Sequence, residues 1–333
     1  MQWRSLGPGA SRARLPLRPQ PETDAPIAHR RCTVLIMERS GGRRLAAQIY
    51  QMPLDLTSVD GSRPAATSPR MNPPFRWPGG KRWLVPRLLE LVPADAGRYF
   101  EPFFGGGALF WALRPEIATI SDSNSALMAC YLAIRDHHRE VSARLRELAQ
   151  DRATYYRVRS ERPTDEVSRA ARVIYLTTLA FNGIHRVNKA GDFNVPYSGR
   201  IYARLRDESF LGAYADALQS AQILSADFEE AVAGAAAGDV IYLDPPYTVK
   251  HANNGFVKYN DRIFSWGDQK RLARVARDLA SRGCHVIVSN AHHDSIRELY
   301  DGFVERIETR TSAMAAETKH RGKTQEVVLT NVG

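Results

Sequence analysis

Short apolar runs alternate with stretches of helical periodicity from residue 98 to the end of the chain. The apolar runs predict strands at 98–101, 117–121, 222–225, 239–243, 285–289, 303–309 and 326–330. The helical periodicity predicts helices at 108–114, 125–136, 139–150, 167–180, 207–219, 266–282 and 294–299. This alternation is typical of an α/β sheet with helices on both faces.

The second and third predicted strands are separated by about a hundred residues, far more than one crossover connection needs. We therefore expect an inserted, mostly helical subdomain at 137–219, which divides the main domain into 71–136 and 220–333. Residues 182–202 of the insert are rich in Gly and Asn, with basic and aromatic residues between them. That composition predicts a hairpin or loop.

Residues 1–70 follow a different pattern, with 8 prolines, no lysine and no sustained hydrophobic period. Their strongest apolar run, residues 32–37, is isolated. The composition predicts a disordered or weakly ordered extension. An equally good interpretation is that the protein starts at Met71, where the organised pattern begins.

The formal net charge is +10, and the first 70 residues supply +6 of it through 11 arginines and 5 acids. Bulk charge is thus weak support for a polyanionic partner, and basic patches must be sought locally. The three cysteines form no CxxC pair and no Cys/His cluster, so we expect no disulfide framework, no metal site and a reducing cytoplasm. No apolar run is long enough to span a bilayer, and we expect no membrane association.

Glycines and acids follow several of the predicted strands. The first strand leads through Gly105, Gly106 and Gly107 into a helix, which suits either a bound ligand or tight packing. The dinucleotide fingerprint fails, because Phe110 stands where its third small residue should be. Asp122 follows the second strand, where a carboxylate can bind ribose hydroxyls, although this segment can also cap a helix.

Two further stretches suit a small ligand. The segment 75–81 ends in Gly79-Gly80-Lys81 but lacks the phosphate-loop pattern; it can present Trp77 and an ammonium group to a carboxylate. Asp227 and Phe228 follow the third strand. Because open α/β sheets bind ligands at the carboxyl ends of their strands, these residues point to one pocket.

Asp244-Pro245-Pro246-Tyr247 follows the fourth predicted strand. The fixed φ of the prolines explains a turn, but it does not explain the acid and the aromatic ring beside them. This tetrapeptide is expected by chance in on the order of one such chain in a thousand. It is a strong signal.

The chain resembles the Dam-like adenine-specific DNA methyltransferases, which use S-adenosylmethionine. The resemblance covers residues 75–331 through WPGGK, FEPFFGGG, SDSN, FNG, FNVPYSGR, SADF, DPPY and EVVLTN, in the order of that family. It implies a Rossmann-like methyltransferase sheet with an inserted DNA-recognition subdomain. It also implies methyl transfer to the N6 amino group of an adenine flipped out of duplex DNA.

The resemblance also implies roles for individual residues. Cofactor contacts are expected from Trp77, Lys81, Phe103, Gly105, Gly107, Asp122, Asp227, Phe228 and Asp244. Catalytic roles are expected for Asp244, Pro245, Pro246 and Tyr247, with Tyr247 stacking on the target base. DNA contacts are expected from Phe181, Asn182, Arg186, Asn194 and Arg200, with Lys189 and Arg204 as further candidates.

Several alternatives remain open at this level. Transfer to the N4 amino group of cytosine uses the same geometry, although such enzymes usually carry Ser in place of Asp244. A catalytically inactive DNA-binding relative is a second alternative. Phe181 can be core instead of a wedge between bases, and the basic run 310–323 can be a solvated loop instead of part of a DNA cleft. We expect a monomer in solution and, by the resemblance, a bacterial or phage restriction-modification context.

Overall fold

The computed structural model describes residues 71–188, 190–248, 264–311 and 323–332, together with the backbone of four strands among the first 70 residues. The chain divides into two units, Met1–Ala66 and Thr67–Gly333. In the first unit, β1 (Arg31–Ile36) pairs antiparallel with β4 (Gln48–Pro53), and β2 (Arg39–Ser40) with β3 (Arg43–Arg44). The apolar run 32–37, which looked isolated in the sequence, thus overlaps β1.

The second unit contains one seven-stranded sheet. Its strands are β5 (Tyr99–Glu101), β6 (Ala118–Ser121), β7 (Ala221–Leu224), β8 (Val240–Leu243), β9 (His285–Ala291), β10 (Val304–Thr311) and β11 (Lys323–Thr330). All seven lie where the apolar runs predicted strands. Their order is β10-β11-β9-β8-β5-β6-β7, and the pairs from β9 to β7 are parallel while β11 and β10 are antiparallel.

The order of the strands reverses between β5 and β8 at the centre of the sheet. From β5 the chain proceeds outward through β6 and β7, and from β8 it proceeds in the opposite direction through β9. The carboxyl ends of β5 and β8 therefore lie side by side at a topological switch point, the place where open α/β sheets bind ligands.

Nine α-helices are present in the described part of the second unit. They are α1 (Val85–Glu90), α2 (Ala108–Leu113), α3 (Ser125–Glu147), α4 (Arg152–Ser160), α5 (Glu166–Leu179), α6 (Gly212–Leu218), α7 (Phe228–Ala231), α8 (Trp266–Ser281) and α9 (Asp294–Arg297). Short 3-10 helices occupy Phe181–Gly183, Ala203–Arg206 and Glu298–Tyr300. Within the described ranges no helix is both long and apolar enough to cross a membrane.

Helices cover both faces of the sheet, as the alternation predicted. Val240 and Tyr242 of β8 pack into one buried cluster with residues of α2, α3 and α5. Ile241 and Leu243 pack into a second cluster with residues of α8. Because successive side chains of a strand point to opposite faces, one strand contributes to both cores. The central strands are accordingly apolar throughout, as expected for parallel strands buried on both sides.

Helix starts are fixed by short polar side chains. Asn124, Asp151 and Asp165 each accept a hydrogen bond from a backbone N–H in the first turn of α3, α4 and α5, at 3.1, 2.7 and 2.7 Å. Such caps satisfy donors that the helix itself leaves unpaired. Ser265 and Asp268 form a reciprocal capping box at the start of α8.

The structure differs from the sequence predictions in three places. The predicted helices 125–136 and 139–150 form one helix, α3, with a kink at His137 (φ −135°). The predicted helix 207–219 begins only at Gly212, because the Asp207 carboxylate accepts from the Ser209 N–H and hydroxyl and holds a turn there. Helices α1, α4 and α7 were missed: α1 and α7 are short, and α4 is mostly polar.

Candidate active site at the carboxyl edge of the sheet

Asp244 is the first residue after β8, at the switch point. Its side chain is 17% exposed. The Ser289 hydroxyl donates to Oδ1 of Asp244 at 2.8 Å, and the Lys81 ammonium lies 3.2 Å from the same oxygen. In the described part of the chain both contacts are made to Oδ1, so Oδ2 is available to accept a hydrogen bond from a ligand.

Lys81 stands just before α1 and is buried. Its ammonium contacts two carboxylates, Asp244 and Glu326, each at 3.2 Å. It also donates a hydrogen bond to the Tyr247 hydroxyl and lies 4.3 Å from the centre of that ring. Burial alone would lower the pKa of Lys81, but the two carboxylates outweigh it and raise that pKa above its usual value.

The Asp244 carboxyl group is difficult to ionise. Burial raises its pKa to about 6, although Lys81 and the Ser289 hydrogen bond oppose the rise. Glu101 lies nearby on β5, and burial raises the pKa of that carboxyl well above its usual range while the Tyr99 hydroxyl donates to it at 2.9 Å. Near neutral pH, Asp244 is therefore an anion held beside Lys81, while burial favours the uncharged form of Glu101.

The glycine turn after β5 is packed too tightly for larger residues. Gly105 and Gly107 have φ of +47° and +64°, conformations that side chains disfavour. A Cβ added to Gly105 would lie 3.1 Å from Cδ1 of Trp77, and one on Gly107 would lie 2.4 Å from Cζ of Phe104. Packing thus requires both glycines, and it leaves the Gly105 backbone without a side chain beside the Trp77 ring.

Asp122 connects the glycine turn to the end of β6. Its Oδ2 accepts from the Gly105 N–H at 3.0 Å, and its Oδ1 accepts from the Asn124 N–H at 2.9 Å. Burial raises the pKa of this carboxyl, while the two backbone N–H groups oppose that rise. Because Asn124 caps α3, Asp122 is not the helix cap. Each of its oxygens retains capacity to accept a hydroxyl hydrogen bond, which fits a ribose.

Trp77 contacts the inserted subdomain. Its ring stacks on that of His185 with centres 4.4 Å apart and planes at 28°. Burial, with a smaller effect of Arg172, lowers the pKa of His185 to about 4, so the imidazole is neutral. A residue expected at the cofactor is therefore packed against the segment expected at the DNA.

Asp227 and Phe228 follow β7 and begin α7. Arg271 of α8 donates to both carboxylate oxygens of Asp227, at 2.8 and 2.7 Å, and its guanidinium lies 4.1 Å from the centre of the Phe228 ring. Phe103 stacks against Phe228 with centres 5.4 Å apart and planes at 27°. The rings are too close to each other to hold an adenine between them, and their cofactor contacts stay predictions.

The predicted DNA-binding residues lie on the insert. Phe181 is 52% exposed, so the alternative that it belongs to the core is wrong. Asn182 is exposed with a left-handed backbone (φ 55°), and the exposed Arg186 donates through Nε to Oδ1 of Asn194 at 2.8 Å. Arg200 is exposed. DNA contact by these residues stays a prediction.

Lys189 and Arg204 were the further candidates for DNA contact. Arg204 packs its guanidinium 5.4 Å from the centre of the Phe210 ring and is partly buried. Lys189 and the centre of the basic run 310–323 lie outside the described residues. A short bridge between Val187 and Phe193, and another between Ala180 and Tyr197, give the segment the predicted hairpin character.

The polar residues that surround the Asp244 turn were not predicted from the sequence, and they are Ser289, Asn290, Gln269 and Glu326. All four are buried. Ser289 and Asn290 continue the apolar run of β9, and Glu326 precedes a run of apolar residues in β11. Polar side chains at buried strand positions are uncommon unless they form hydrogen bonds. A polar residue within or beside an apolar strand run is therefore the sequence signal that could have identified Ser289, Asn290 and Glu326.

The mostly parallel sheet, the helices on both faces and the Asp-Pro-Pro-Tyr turn at the switch point define a Rossmann-like methyltransferase domain. Residues 77–314 match the family described as D12 class N6 adenine-specific DNA methyltransferase. The chain belongs to this family and is an enzyme of the DNA adenine N6-methyltransferase type. The family and the activity predicted from the sequence are thereby confirmed.

Individual relatives agree with the family. The type II methyltransferase M1.LlaDCHI of Lactococcus lactis subsp. cremoris is 37% identical over 275 residues, which cover 79% of this chain and 96% of the relative. A DNA adenine methylase of Serratia marcescens is 30% identical over 233 residues, covering 68% and 86%. Among solved structures, precorrin 8W decarboxylase of Methanobacterium thermoautotrophicum aligns over 79% of this chain and 98% of its own, with a TM-score of 0.34 and 10% identity. That last likeness is too weak to carry an argument.

Proposed function

We propose that the chain binds S-adenosylmethionine at the carboxyl edge of β5, β6 and β7 and methylates an adenine that is flipped out of duplex DNA beside Asp244. The observation that carries the proposal is the buried Asp244 carboxylate, fixed at the switch point by Lys81 and Ser289 with Oδ2 available. The same observation supports catalysis over simple DNA binding, because an ionised, hydrogen-bonded carboxylate at this depth is costly to maintain.

Residues on the other side of the switch point fit the cofactor. The Asp122 carboxylate suits ribose hydroxyls, and the side-chain-free backbone at Gly105 allows close approach beside Trp77. Asp227 is 39% exposed in its side chain and suits an adenine amino group. S-adenosylmethionine supplies a methyl carbon activated by a positively charged sulfur. Lys81 is engaged with Asp244 and Glu326, so its predicted contact with the cofactor is the least supported of these assignments.

Asp244 and Pro245 act on the target amino group. That nitrogen is a poor nucleophile because its lone pair is delocalised into the base. Oδ2 of Asp244 accepts a hydrogen bond from one N6–H and the Pro245 carbonyl accepts one from the other, which directs the lone pair toward the methyl carbon. Both acceptors are fixed before the reaction, as electrostatic catalysis requires. With the cofactor bound, the methyl group would pass to N6 and the sulfur would leave as a neutral thioether, while Asp244 would accept the N6 proton and release it to solvent.

The flipped base is retained by stacking. Flipping costs a few kcal/mol, and stacking on the Tyr247 ring offsets it by roughly 1–3 kcal/mol. The Tyr247 hydroxyl accepts from Lys81, so the ring is oriented by the same ammonium that faces Asp244. The insert offers exposed side chains for contact with the duplex around the position that the flipped base has left, namely Phe181, Arg186 and Arg200.

The names of the relatives support adenine and a type II restriction-modification context. The test is to incubate the purified protein with methyl-labelled S-adenosylmethionine and duplex DNA, digest the DNA and separate the nucleosides. N6-methyladenosine in its deoxy form is the expected product. Label in N4-methylcytosine, or in protein alone, would refute the proposal.

A further inference from the structure

The turn from Asp244 to Tyr247 is held from both faces of the sheet by two neighbouring residues of β9. Ser289 and Asn290 are adjacent, so their side chains point to opposite faces. Ser289 lies on the face that holds Tyr242, and Asn290 lies on the face covered by α8. Both residues are fully buried.

On the first face, Ser289 holds the carboxylate. The Tyr242 hydroxyl and the Ser289 hydroxyl are 2.9 Å apart, and Ser289 donates to Oδ1 of Asp244 at 2.8 Å. Because the single Ser289 proton is used on Asp244, the Tyr242 hydroxyl must donate to Ser289. The donor and the acceptor are thereby fixed in both hydrogen bonds of the series from Tyr242 through Ser289 to Asp244.

On the second face, Asn290 acts through Gln269 of α8. The Asn290 amide donates to Oε1 of Gln269 at 3.1 Å, and Nε2 of Gln269 donates to the Pro246 carbonyl at 3.2 Å. Oδ1 of Asn290 accepts from the Ala291 N–H at 2.8 Å, which fixes its amide orientation. Gln269 is itself positioned by the start of α8, where its N–H bonds to the Ser265 carbonyl at 3.1 Å.

Pro245 lies between the two held residues, Asp244 and Pro246. Its carbonyl is the second acceptor for the target amino group. Within the described residues, the residue before it, Asp244, is hydrogen-bonded to Ser289, and the residue after it, Pro246, is hydrogen-bonded to Gln269. The separation of the two acceptors is therefore set by β9. Both acceptors must accept from the two N–H groups of one nitrogen at the same time. A small change in the distance between the acceptors therefore lowers the reaction rate and not the binding affinity.

We propose that Ser289 and Asn290, the latter through Gln269, form a two-sided clamp that positions the Asp244 carboxylate and the Pro245 carbonyl for reaction. These are positioning residues, since none of them is expected to touch the substrate. The proposal rests on the proposed function for the identity of the acceptors.

The first test is Gln269→Met, which keeps the length of the side chain and removes both hydrogen bonds. Its kcat is expected to fall by about 10- to 100-fold, the scale of a displacement of about 1 Å at a reacting group. Dissociation constants for S-adenosylmethionine and for duplex DNA are expected to stay within about threefold, because the clamp acts on geometry and not on affinity.

The matched control is Leu279→Ala on the same helix. Leu279 is buried in the cluster between α8 and the sheet and lies almost three turns beyond Gln269. Its loss should lower the melting temperature while leaving kcat unchanged. If Gln269→Met behaves like Leu279→Ala, or if it changes DNA affinity alone, the clamp does not exist.

The second test addresses Ser289 through the pH profile. Among the described residues, the titratable groups that face Asp244 are Lys81, Glu326, Glu101 and Tyr242, and they are unchanged in Ser289→Ala. Removing the hydroxyl removes a hydrogen bond to the ionised form, so the acid limb of kcat/KM should move to higher pH. Ser289→Thr keeps the hydroxyl and should restore the limb. Gln269→Met should leave the acid limb in place. An unshifted limb in Ser289→Ala, a shifted limb in Ser289→Thr or a shifted limb in Gln269→Met would each overturn the two-sided arrangement.

A third measurement needs no turnover. Hydrogen–deuterium exchange in the peptide that spans Asp244–Thr248 should accelerate in Gln269→Met and not in Leu279→Ala. If exchange is unchanged, the clamp is refuted even where no methylated adenine is found. If exchange accelerates but the wild-type protein methylates no adenine, the clamp holds and the proposed function fails.

Discussion

The ammonium of Lys81 lies 3.2 Å from Oδ1 of Asp244, inside the protein and at the centre of its sheet. Lys81 precedes α1 and Asp244 follows β8, so the pair joins segments that are distant in the chain. In the described region the ammonium also contacts Glu326 and Tyr247. One cation thus determines both the charge of the acceptor and the orientation of the ring beside it.

Replacing Lys81 with Met should inactivate the enzyme mainly through Asp244. Without the ammonium, the buried carboxylates of Asp244 and Glu326 face each other, and the pKa of Asp244 rises further. We expect kcat/KM at pH 7 to fall by about 10²-fold or more, the scale of losing one preorganised electrostatic contact. The exposed Lys270 of α8 provides the control, Lys270→Met, which should retain wild-type activity.

The pH dependence of the wild-type enzyme should reflect the same carboxyl group. Burial raises the pKa of Asp244 to about 6, and only the ionised form leaves Oδ2 as an acceptor. Activity should therefore be complete above that pKa and decline by about tenfold per pH unit below it. A kcat/KM profile measured at constant ionic strength tests this. An acid limb near pH 4 would mean that Asp244 is not the group that titrates.

Asp244→Ala should abolish methyl transfer, and Asp244→Asn should do nearly the same. The amide places an NH₂ group where an acceptor is needed, and we expect kcat to fall by about 10³-fold, the upper range for one preorganised contact. S-adenosylmethionine affinity, measured by calorimetry, should stay within about tenfold because Asp244 is only one of the residues expected to contact the cofactor. Unchanged turnover would refute the role given to Asp244.

Asp122→Ala should weaken cofactor binding and affect turnover at saturation much less. The carboxylate holds the Gly105 N–H at 3.0 Å and suits the ribose, so its loss removes both a ligand contact and support for the glycine turn. Titration with S-adenosylmethionine measures the effect. Asp216→Ala, at an exposed position of α6, is the control. An effect on kcat alone would contradict the ribose assignment.

Arg186→Ala should weaken duplex DNA binding by about 1–3 kcal/mol and, if the lost contact is to a phosphate, reduce the salt dependence of binding by about one unit of slope. The exposed Arg306 on the edge strand β10 provides a matched arginine outside the insert. Fluorescence anisotropy at several salt concentrations distinguishes the two variants. Equal effects of both would mean that only net charge matters.

The sheet could be predicted because its strands are apolar runs between clear breaks, and all seven were found within a few residues. Asp244, Asp122 and Asp227 could be placed at one edge because parallel strands share their carboxyl ends. The kinked α3 was split in the prediction because polar residues interrupt its apolar periodicity near His137. Periodicity does not reveal that the helix continues there.

Contacts between distant segments were not predictable. Lys81 was expected at the cofactor, since the sequence indicates a cation near a ligand but not which anion it meets. Gln269 is one of many polar residues on an amphipathic helix, and only its full burial distinguishes it. The ion pair of Arg271 with Asp227 likewise depends on how α8 crosses the end of β7. Tertiary packing decides such pairings.

Helix α3 runs from the end of β6 into the insert as one continuous helix, packing on β7 and on α5. The insert therefore shares a structural element with the catalytic sheet and is not a separable cassette. Chimeras that exchange the insert between relatives should be joined at His137, where the helix already departs from regular geometry. Junctions elsewhere in α3 would divide a buried face of one helix between two parents.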